Sequence, residues 1–203
     1  MVYLNIYRRL VLLTLLTVAL SLQFAHAQQS EADILAVMEE RQDKIKMHLP
    51  SSGEASEDQK SQLRLAVNDM IDFGAMGRAA LGRHWADLSQ DEQDNFVRVF
   101  SDIVRHQSLA DLDVYRAAVT YDDIEVTGAS ARVITTTTYK DVPTKVEYLL
   151  VYSQEKWLTT DVILDGVGTV EGYSRSFQSV IRKRGFDSLM NSLNKRLERT
   201  RGG

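Results

Sequence analysis

Two hydrophobic periodicities divide the chain into helical ends and a strand-rich middle. Apolar residues recur at helical spacing in five segments before and after the middle of the chain. These segments cover roughly residues 30–49, 56–71, 72–81, 89–112 and 169–197. Residues 118–164 are instead rich in Val, Ile, Thr and Tyr, which favour strands. The pattern therefore predicts helices, then a sheet, then helices.

Short turn-like connections divide the middle segment into four strands. The strands are expected near residues 118–126, 131–140, 144–153 and 156–164. The turns are expected at 128–130, 141–143 and 154–155. Because short connections join antiparallel neighbours, we expect an antiparallel sheet of four strands or slightly more. The fold class is thus α+β, a curved sheet wrapped by N- and C-terminal helices in a single domain.

Both faces of this sheet carry apolar side chains. Val146, Tyr148, Leu150 and Tyr152 alternate onto one face of the third strand, whereas Leu149 and Val151 point to the other. A sheet with one wet face would alternate more cleanly between apolar and polar residues. We therefore expect helices against one face and more helix, or a ligand, against the other.

The N-terminus has the three parts of a secretory signal peptide. Arg8 and Arg9 precede thirteen uncharged residues, 10–22, and a small-residue cleavage pattern follows at Ala25-His26-Ala27. The apolar run is shorter than the ~20 residues of a membrane-spanning helix. We expect cleavage after residue 27, which leaves residues 28–203 as one exported domain.

Composition excludes several classes of function. Removal of Arg8 and Arg9 makes the chain two units more negative than its full-length charge of −4, which argues against nucleic-acid binding. The chain has no Cys, and His48, His84 and His106 are not at metal-ligand spacing, so we expect no metal site. No nucleophile elbow or phosphate-binding loop is present. A base using Asp161, or His106 with a carboxylate, stays open.

An ordered set of motifs runs through the chain from about residue 30 to 197. Each is weak alone, and they combine aromatic, glycine and acidic positions at fixed spacing. They are Asp72-Phe73-x-x-Met76, Leu81-Gly82-x-x-Trp85, Gln93-x-x-Phe96-x-x-x-Phe100, Lys156-Trp157-x-x-x-Asp161-Val162-x-x-x-Gly166-Val167, Tyr173-x-x-x-Phe177 and Gly185-Phe186-Asp187-x-Leu189. In this order, and behind a signal peptide, the set resembles the MlaC, or toluene-tolerance, family of periplasmic phospholipid-binding proteins and their HpnM-like relatives.

The resemblance implies a lipid carrier of the periplasm. MlaC-like proteins shuttle phospholipid between an outer-membrane lipoprotein–porin complex and an inner-membrane ABC transporter with an MCE-domain subunit, which contributes to outer-membrane lipid asymmetry. The family fold holds acyl tails in an apolar cavity between sheet and helices. The resemblance therefore implies a phospholipid or related lipid as ligand, no cofactor, no catalysis, membrane contact only through partners, and a monomer. Lipid identity and transport direction stay open.

Candidate site residues fall into two groups. The candidates for the cavity are large apolar or aromatic side chains from helices and strands: Phe73, Met76, Trp85, Phe100, Tyr148, Leu150, Tyr152, Val162, Tyr173 and Phe177. The candidates for head-group contact or partner docking are the basic side chains Arg175, Arg182, Lys183 and Arg184. Tyrosines suit a cavity wall because the ring is apolar while the hydroxyl reaches water. Glycines 74, 77 and 82 are explained equally well by helix movement and by close helix packing.

Two other functions are compatible with the same pattern. A small-molecule enzyme of the cone-shaped isomerase or dehydratase kind requires a buried carboxylate or histidine in a pocket. An envelope adaptor protein requires a filled core and an exposed apolar patch.

Overall fold

A computed structural model describes residues 30–51 and 53–201, with the side chain of residue 201 excepted. The expected signal peptide lies outside the described residues. Within them, no helix combines the length and the apolar character that crossing a membrane requires.

Six α-helices surround the sheet in the described part of the chain. They are α1 (Glu31–His48), α2 (Glu57–Asn68), α3 (Phe73–Leu81), α4 (Gln90–Gln107), α5 (Thr169–Arg184) and α6 (Phe186–Arg201). Short 3-10 helices, Gly82–Asp87 and Leu112–Arg116, follow α3 and α4. Serines begin three of the helices: Ser30, Ser56 and Ser89 each accept a hydrogen bond from the third residue of the helix, whose side chain bonds back to the serine N–H.

The sheet is antiparallel, curved and open, with strand order β1-β2-β3-β4-β5. Its strands are β1 (Val119–Thr127), β2 (Ser130–Tyr139), β3 (Val142–Ser153), β4 (Lys156–Leu164) and β5 (Val167–Gly168). The predicted α+β fold with a meander of antiparallel strands is confirmed. The fifth strand has two residues, which is too short for a periodicity to predict.

The second predicted turn was displaced. Lys140 and Asp141 both have positive φ, +50° and +62°, and form the two-residue turn, whereas Val142 and Pro143 already belong to β3. Two central residues with positive φ match the right-handed twist of a hairpin. Gln154 and Glu155 form the next predicted turn in the same way, with φ of +52° and +61°.

The second helix is shorter than its apolar spacing predicts because its end is used for a link to the sheet. Thr159 N donates to the Met70 carbonyl oxygen at 2.6 Å, and Asp72 N donates to the Thr159 carbonyl oxygen at 2.9 Å. Ile71 forms a parallel bridge with Thr159. This link fixes β4 against the start of α3.

The buried side chains form three clusters rather than one. A helical cluster joins α3, α4, α5 and α6, and includes Phe96, Phe100 and Phe177. A sheet cluster joins α1 to one face of the sheet, with Ile34 and Met38 against Val133, Leu150 and Trp157. A third, smaller cluster lies where α1 meets α2 and contains Ile45, Leu63 and Val67. Helix α1 therefore covers the sheet separately from the helical cluster.

Candidate functional site

The structure divides the ten predicted cavity residues between two places. Phe73, Met76, Phe100 and Phe177 are buried in the helical cluster, and Trp85 and Tyr173 are half-buried against it. Leu150 is buried in the sheet cluster, with Tyr148 and Tyr152 half-buried beside it. Half-buried Val162 pairs with Tyr148 across β3 and β4, and so lies on the same sheet face. The sequence did not predict this division.

The helical cluster is closed by ring-to-ring contacts. Phe100 packs edge-on against Tyr173 with ring centroids 5.0 Å apart, and Phe96 packs edge-on against Phe177 at 5.8 Å. These separations are typical of favourable aromatic pairs. A Cβ atom added at Gly77 would lie 3.0 Å from Phe96 Cε1, so α3 approaches α4 closely here. Of the two explanations for the glycines, this geometry favours close packing at Gly77.

The sheet cluster is less completely covered. Leu150 and Trp157 are 1% and 3% exposed, but Tyr121, Tyr148 and Tyr152 stay half-buried around them. Tyr152 lies edge-on to Trp157 with ring centroids 5.4 Å apart. An apolar surface edged by tyrosines thus lies between α1 and the sheet.

A groove of about 350 Å³ opens beside this cluster, between α1 and the start of the sheet. Its lining is Glu39, Gln42, Asp43, Lys46, Ala118, Val119 and Tyr121. The Tyr121 hydroxyl donates to Gln42 Oε1 at 3.2 Å across it. A second depression, of about 490 Å³, is lined by Arg196, Arg199 and Thr200. Both are lined mainly by polar side chains.

Arg41 is a residue that the sequence reasoning missed. It lies in the buried stripe of α1, three residues after Met38 and four before Ile45. Its Nη2 donates to the Val67 carbonyl oxygen at 2.7 Å, while its buried Nε has no hydrogen-bond partner. The helical spacing of the sequence could have identified it. Arg41 falls in the same stripe as Ile34, Met38 and Ile45, where an apolar side chain is expected.

Tyr121 and Tyr115, which belong to the two clusters that Arg41 adjoins, both have a raised pKa. Burial raises the pKa of Tyr115 to about 12, and the nearby Arg41 charge opposes that rise. Burial raises the pKa of Tyr121 to about 12 as well, again opposed by Arg41. The Tyr148 phenol contributes to both increases in pKa. Arg41 thus lies at the junction of the sheet cluster and the α1–α2 cluster.

The four predicted basic residues are exposed on α5 and separate from this junction in the fold. Arg175 Nη1 lies 3.7 Å from Glu171 Oε1, and both side chains are largely exposed. Arg182, Lys183 and Arg184 form the last turn of the helix. Cations near the C-terminus of a helix interact favourably with its dipole, so a structural role accounts for their position.

Asp161, the carboxylate considered for catalysis, caps a helix. Its Oδ1 accepts hydrogen bonds from the backbone N–H of Val162 at 2.8 Å and of Val170 at 3.0 Å. Val170 is the second residue of α5, where backbone N–H groups have no partner within the helix. Among the described residues, no group of three or more His, Asp or Glu side chains is arranged to hold a metal ion.

The family model described as MlaC protein matches residues 29–195. The chain belongs to the MlaC family. The match runs from α1 into α6, and therefore includes residues of all three buried clusters and the helix cap at Asp161.

A solved structure has the same fold. It is the phospholipid-binding protein from Ralstonia solanacearum in complex with a phospholipid, with a TM-score of 0.69 and 20% sequence identity. The alignment covers 85% of this chain and 98% of that one. No curated protein is similar to the chain in sequence.

Proposed function

We propose that this member of the MlaC family is an exported carrier that binds the acyl chains of a phospholipid between α1 and the sheet. The observation that carries the proposal is family membership along nearly the whole described chain. The phospholipid complex of the Ralstonia protein, which shares the fold, supports it. The half-buried tyrosines around Leu150 and Trp157 supply the apolar surface that the proposal needs.

Carriage of a lipid through water requires only burial and release. Two acyl chains contain roughly 30 methylenes at about 0.8 kcal/mol each, so exposing them to water costs on the order of 20 kcal/mol. A protein lowers that cost by offering an apolar surface of matching length. No covalent step is needed, and Asp161 is engaged as a helix cap.

We place the tails in the sheet cluster, against Tyr148, Leu150, Tyr152 and Val162. A lipid entering the helical cluster would separate the ring pairs Phe100–Tyr173 and Phe96–Phe177. In the sheet cluster it would displace only α1. In this proposal, the helical candidates Phe73, Met76, Trp85, Phe100, Tyr173 and Phe177 hold the rigid layer beside the site.

Helix α1 is the proposed cover. The Tyr121–Gln42 bond is the one hydrogen bond that joins side chains of α1 and the sheet within the described residues. If the signal peptide is cleaved after residue 27, α1 becomes the N-terminal element and is tethered only at its C-terminal end. A helix held at one end can move outward when a lipid enters. With the lipid bound, the protein would diffuse through the periplasm as a monomer, between the inner- and outer-membrane complexes.

Recovery of bound lipid tests the proposal. The full chain is expressed in a Gram-negative host, and the processed protein is analysed by native mass spectrometry and by lipid extraction. We expect a co-purified phospholipid with a stoichiometry of one, and uptake of labelled phospholipid from vesicles after delipidation. A protein that is lipid-free and takes up no labelled phospholipid would contradict the proposal.

A further inference from the structure

The fold places the partly buried guanidinium of Arg41, with its Nε fully enclosed, in the apolar seam that α1 makes with the rest of the protein. Arg41 follows Met38 by three residues and precedes Ile45 by four, and both neighbours are 4% exposed. Buried charges in proteins are ordinarily paired with an opposite charge, because desolvation of a lone ion is costly. Within residues 30–51 and 53–201, however, Arg41 makes no ion pair with a carboxylate.

The hydrogen-bonding capacity of Arg41 is only partly used. Nη2 donates to the Val67 carbonyl oxygen, whereas Nε–H is buried and has no acceptor. An orphaned donor on a charged group costs more than one on a neutral group. The Arg41 guanidinium therefore lacks a hydrogen-bond acceptor for its Nε–H. A negatively charged acceptor would accept that hydrogen bond and also balance the positive charge.

A second unused donor belongs to the sheet cluster, which Arg41 adjoins through Met38. The hydroxyls of Tyr115 and Tyr121 are already donating, to the Ser108 carbonyl oxygen at 2.7 Å and to Gln42 Oε1 at 3.2 Å. The Tyr148 hydroxyl makes no hydrogen bond to any residue that the structure describes. Tyr148 lies on the sheet face covered by α1, in the cluster where the acyl tails are proposed to bind.

We propose that Arg41, with the Tyr148 hydroxyl, binds the phosphate of the lipid whose tails lie between α1 and the sheet. This inference rests on the proposed lipid-carrier function and adds the polar half of its site. A guanidinium with a free N–H and a phenol O–H match phosphate oxygens, which accept several hydrogen bonds at once.

Charges at the groove favour a lipid over a free anion. Glu39 and Asp43 outnumber Lys46 in the lining of the groove between α1 and the sheet, and the resulting net negative charge would repel a small anion that approaches from water. A phospholipid is held by its tails as well, so the burial of apolar chains offsets that repulsion. The two sources of phosphate, a head group and free inorganic phosphate, are therefore separable by experiment.

Two short-chain lipids that differ only in the phosphate-containing head group provide the test. Dioctanoyl phosphatidylethanolamine and dioctanoylglycerol have the same tails, and neither carries a net charge. Binding to the delipidated full-chain product is followed by tryptophan fluorescence, because Trp157 lies in the sheet cluster. We expect the phospholipid to bind at least about tenfold more tightly, which is the usual scale of a charge-assisted hydrogen bond.

Three variants test which side chains cause the preference for the phospholipid over dioctanoylglycerol. Arg41→Gln is expected to reduce it to within about twofold, and Tyr148→Phe, which removes one hydroxyl and keeps the ring, to reduce it several-fold. Arg64→Gln is the matched control, because Arg64 Nε is also buried without a partner but its charge lies near Glu57. Arg64→Gln should leave the preference unchanged. If Arg41→Gln does not fold, Arg41→Lys and Tyr148→Phe carry the test.

The outcomes separate the inference from the proposed function. Equal binding of the two lipids by the unmodified protein would overturn the inference and leave the carrier function in place. Retention of the preference by Arg41→Gln or by both Arg41→Lys and Tyr148→Phe would also overturn it. Binding of neither lipid would refute the function and the inference together. Thermal stabilisation by inorganic phosphate that Arg41→Gln abolishes, with no preference between the lipids, would assign the site to free phosphate instead.

Discussion

The carboxylate of Asp161 in β4 accepts a hydrogen bond from the backbone N–H of Val170, and so connects the sheet to the start of α5. Gly168 precedes this helix as its N-cap and has no side chain that could cap it. Asp161, nine positions before Val170, therefore performs the role that a serine performs for α1, α2 and α4. The acidic position of the sequence motif is accounted for by helix capping.

Replacement of Asp161 should destabilise the fold. We expect Asp161→Ala to lower the free energy of unfolding by about 1 kcal/mol, the usual cost of losing an N-terminal cap. Urea denaturation monitored by circular dichroism measures the change. Asp123→Ala is the control, because Asp123 is exposed in β1 and its carboxylate accepts no hydrogen bond from the described residues. Equal effects of the two substitutions would contradict the capping role.

Gly168 and Asp161 should be energetically coupled. A Cβ atom at position 168 would lie 3.0 Å from Asp161 Oδ2, although the backbone φ of −70° suits any residue. Gly168→Ala should therefore cost on the order of 1 kcal/mol by pushing the carboxylate away from its partner. In an Asp161→Ala background most of that cost should disappear. A double-mutant cycle measures the coupling, and additive effects would show that the two sites are independent.

Two helical glycines should respond oppositely to alanine. A Cβ atom at Gly77 would press on the buried Phe96 ring, so Gly77→Ala is expected to destabilise the protein by roughly 1–3 kcal/mol. A Cβ atom at Gly172, inside α5, would meet nothing within 4 Å. Gly172→Ala should stabilise the protein by roughly 0.5–1 kcal/mol through helix propensity. The unfolding midpoints of the two variants measure these effects. A Gly77→Ala variant that is more stable than the unmodified protein would contradict the close packing of α3 on α4.

Stability should fall at alkaline pH because of Tyr115. Its folded-state pKa is raised to about 12 from an ordinary value of 10, so the unfolded chain releases this proton first as pH rises. The contribution of Tyr115 is present in full below pH 10, declines between pH 10 and 12, and is lost above that. Its size is on the order of 2–3 kcal/mol.

Phenolate absorbance and urea midpoints across this range test the alkaline effect. Tyr115→Phe should flatten the loss of stability between pH 10 and 12, although it also removes the hydrogen bond to Ser108 and so lowers stability at neutral pH. A titration of Tyr115→Phe that is as steep as that of the unmodified protein would show that other groups cause the effect.

Tethering α1 to the sheet should block lipid uptake. Since the chain has no Cys, the pair Gln42→Cys and Tyr121→Cys can be joined by a short, reducible bis-maleimide without side reactions. The two native side chains are hydrogen-bonded to each other, so the linker spans the seam that the lipid must open. Uptake of labelled phospholipid is expected to stop on cross-linking and to return when the linker is reduced.

A cross-link within one helix is the matched control for this experiment. Glu57→Cys with Lys60→Cys replaces an exposed ion pair on α2, whose atoms lie 2.9 Å apart. Cross-linking there should leave uptake unchanged. Unimpaired uptake by the protein tethered between α1 and β1 would contradict the role of α1 as the cover.

Local sequence patterns predicted where the helices and strands lie better than they predicted which parts of the fold these elements contact. The helical stripe of α1 and the alternation in β3 are encoded within a few residues, so both were predicted. The segment Met70–Asp72 continued a helical stripe, but its hydrogen bonds go to Thr159, which is far away in the chain. Pro143 suggested a turn, whereas Lys140 and Asp141 form it and Pro143 pairs with Thr138 at the end of the ladder.

The candidate site shows the same dependence on distant contacts. Phe100 and Leu150 are equally apolar in sequence, and only the packing of whole elements assigns one to the helical cluster and the other to the sheet cluster. Arg41 was assigned no role because a charged residue on a helix usually faces water. The sequence shows that Arg41 lies between Met38 and Ile45 on one face of the helix. Whether a carboxylate forms an ion pair with Arg41 depends on the tertiary structure.

Helix α1, the proposed cover of the sheet, lies far along the chain from the strands on which it packs. Gln42 meets Tyr121 across 79 positions of chain. During synthesis α1 emerges well before the strands on which it packs. Contacts between residues so distant along the chain pay a large loop-closure entropy and form late in folding. We therefore expect α1 to dock after the sheet has assembled. In the proposed carrier, an acyl chain that reaches the bare strands before α1 would become part of the core around which the protein folds.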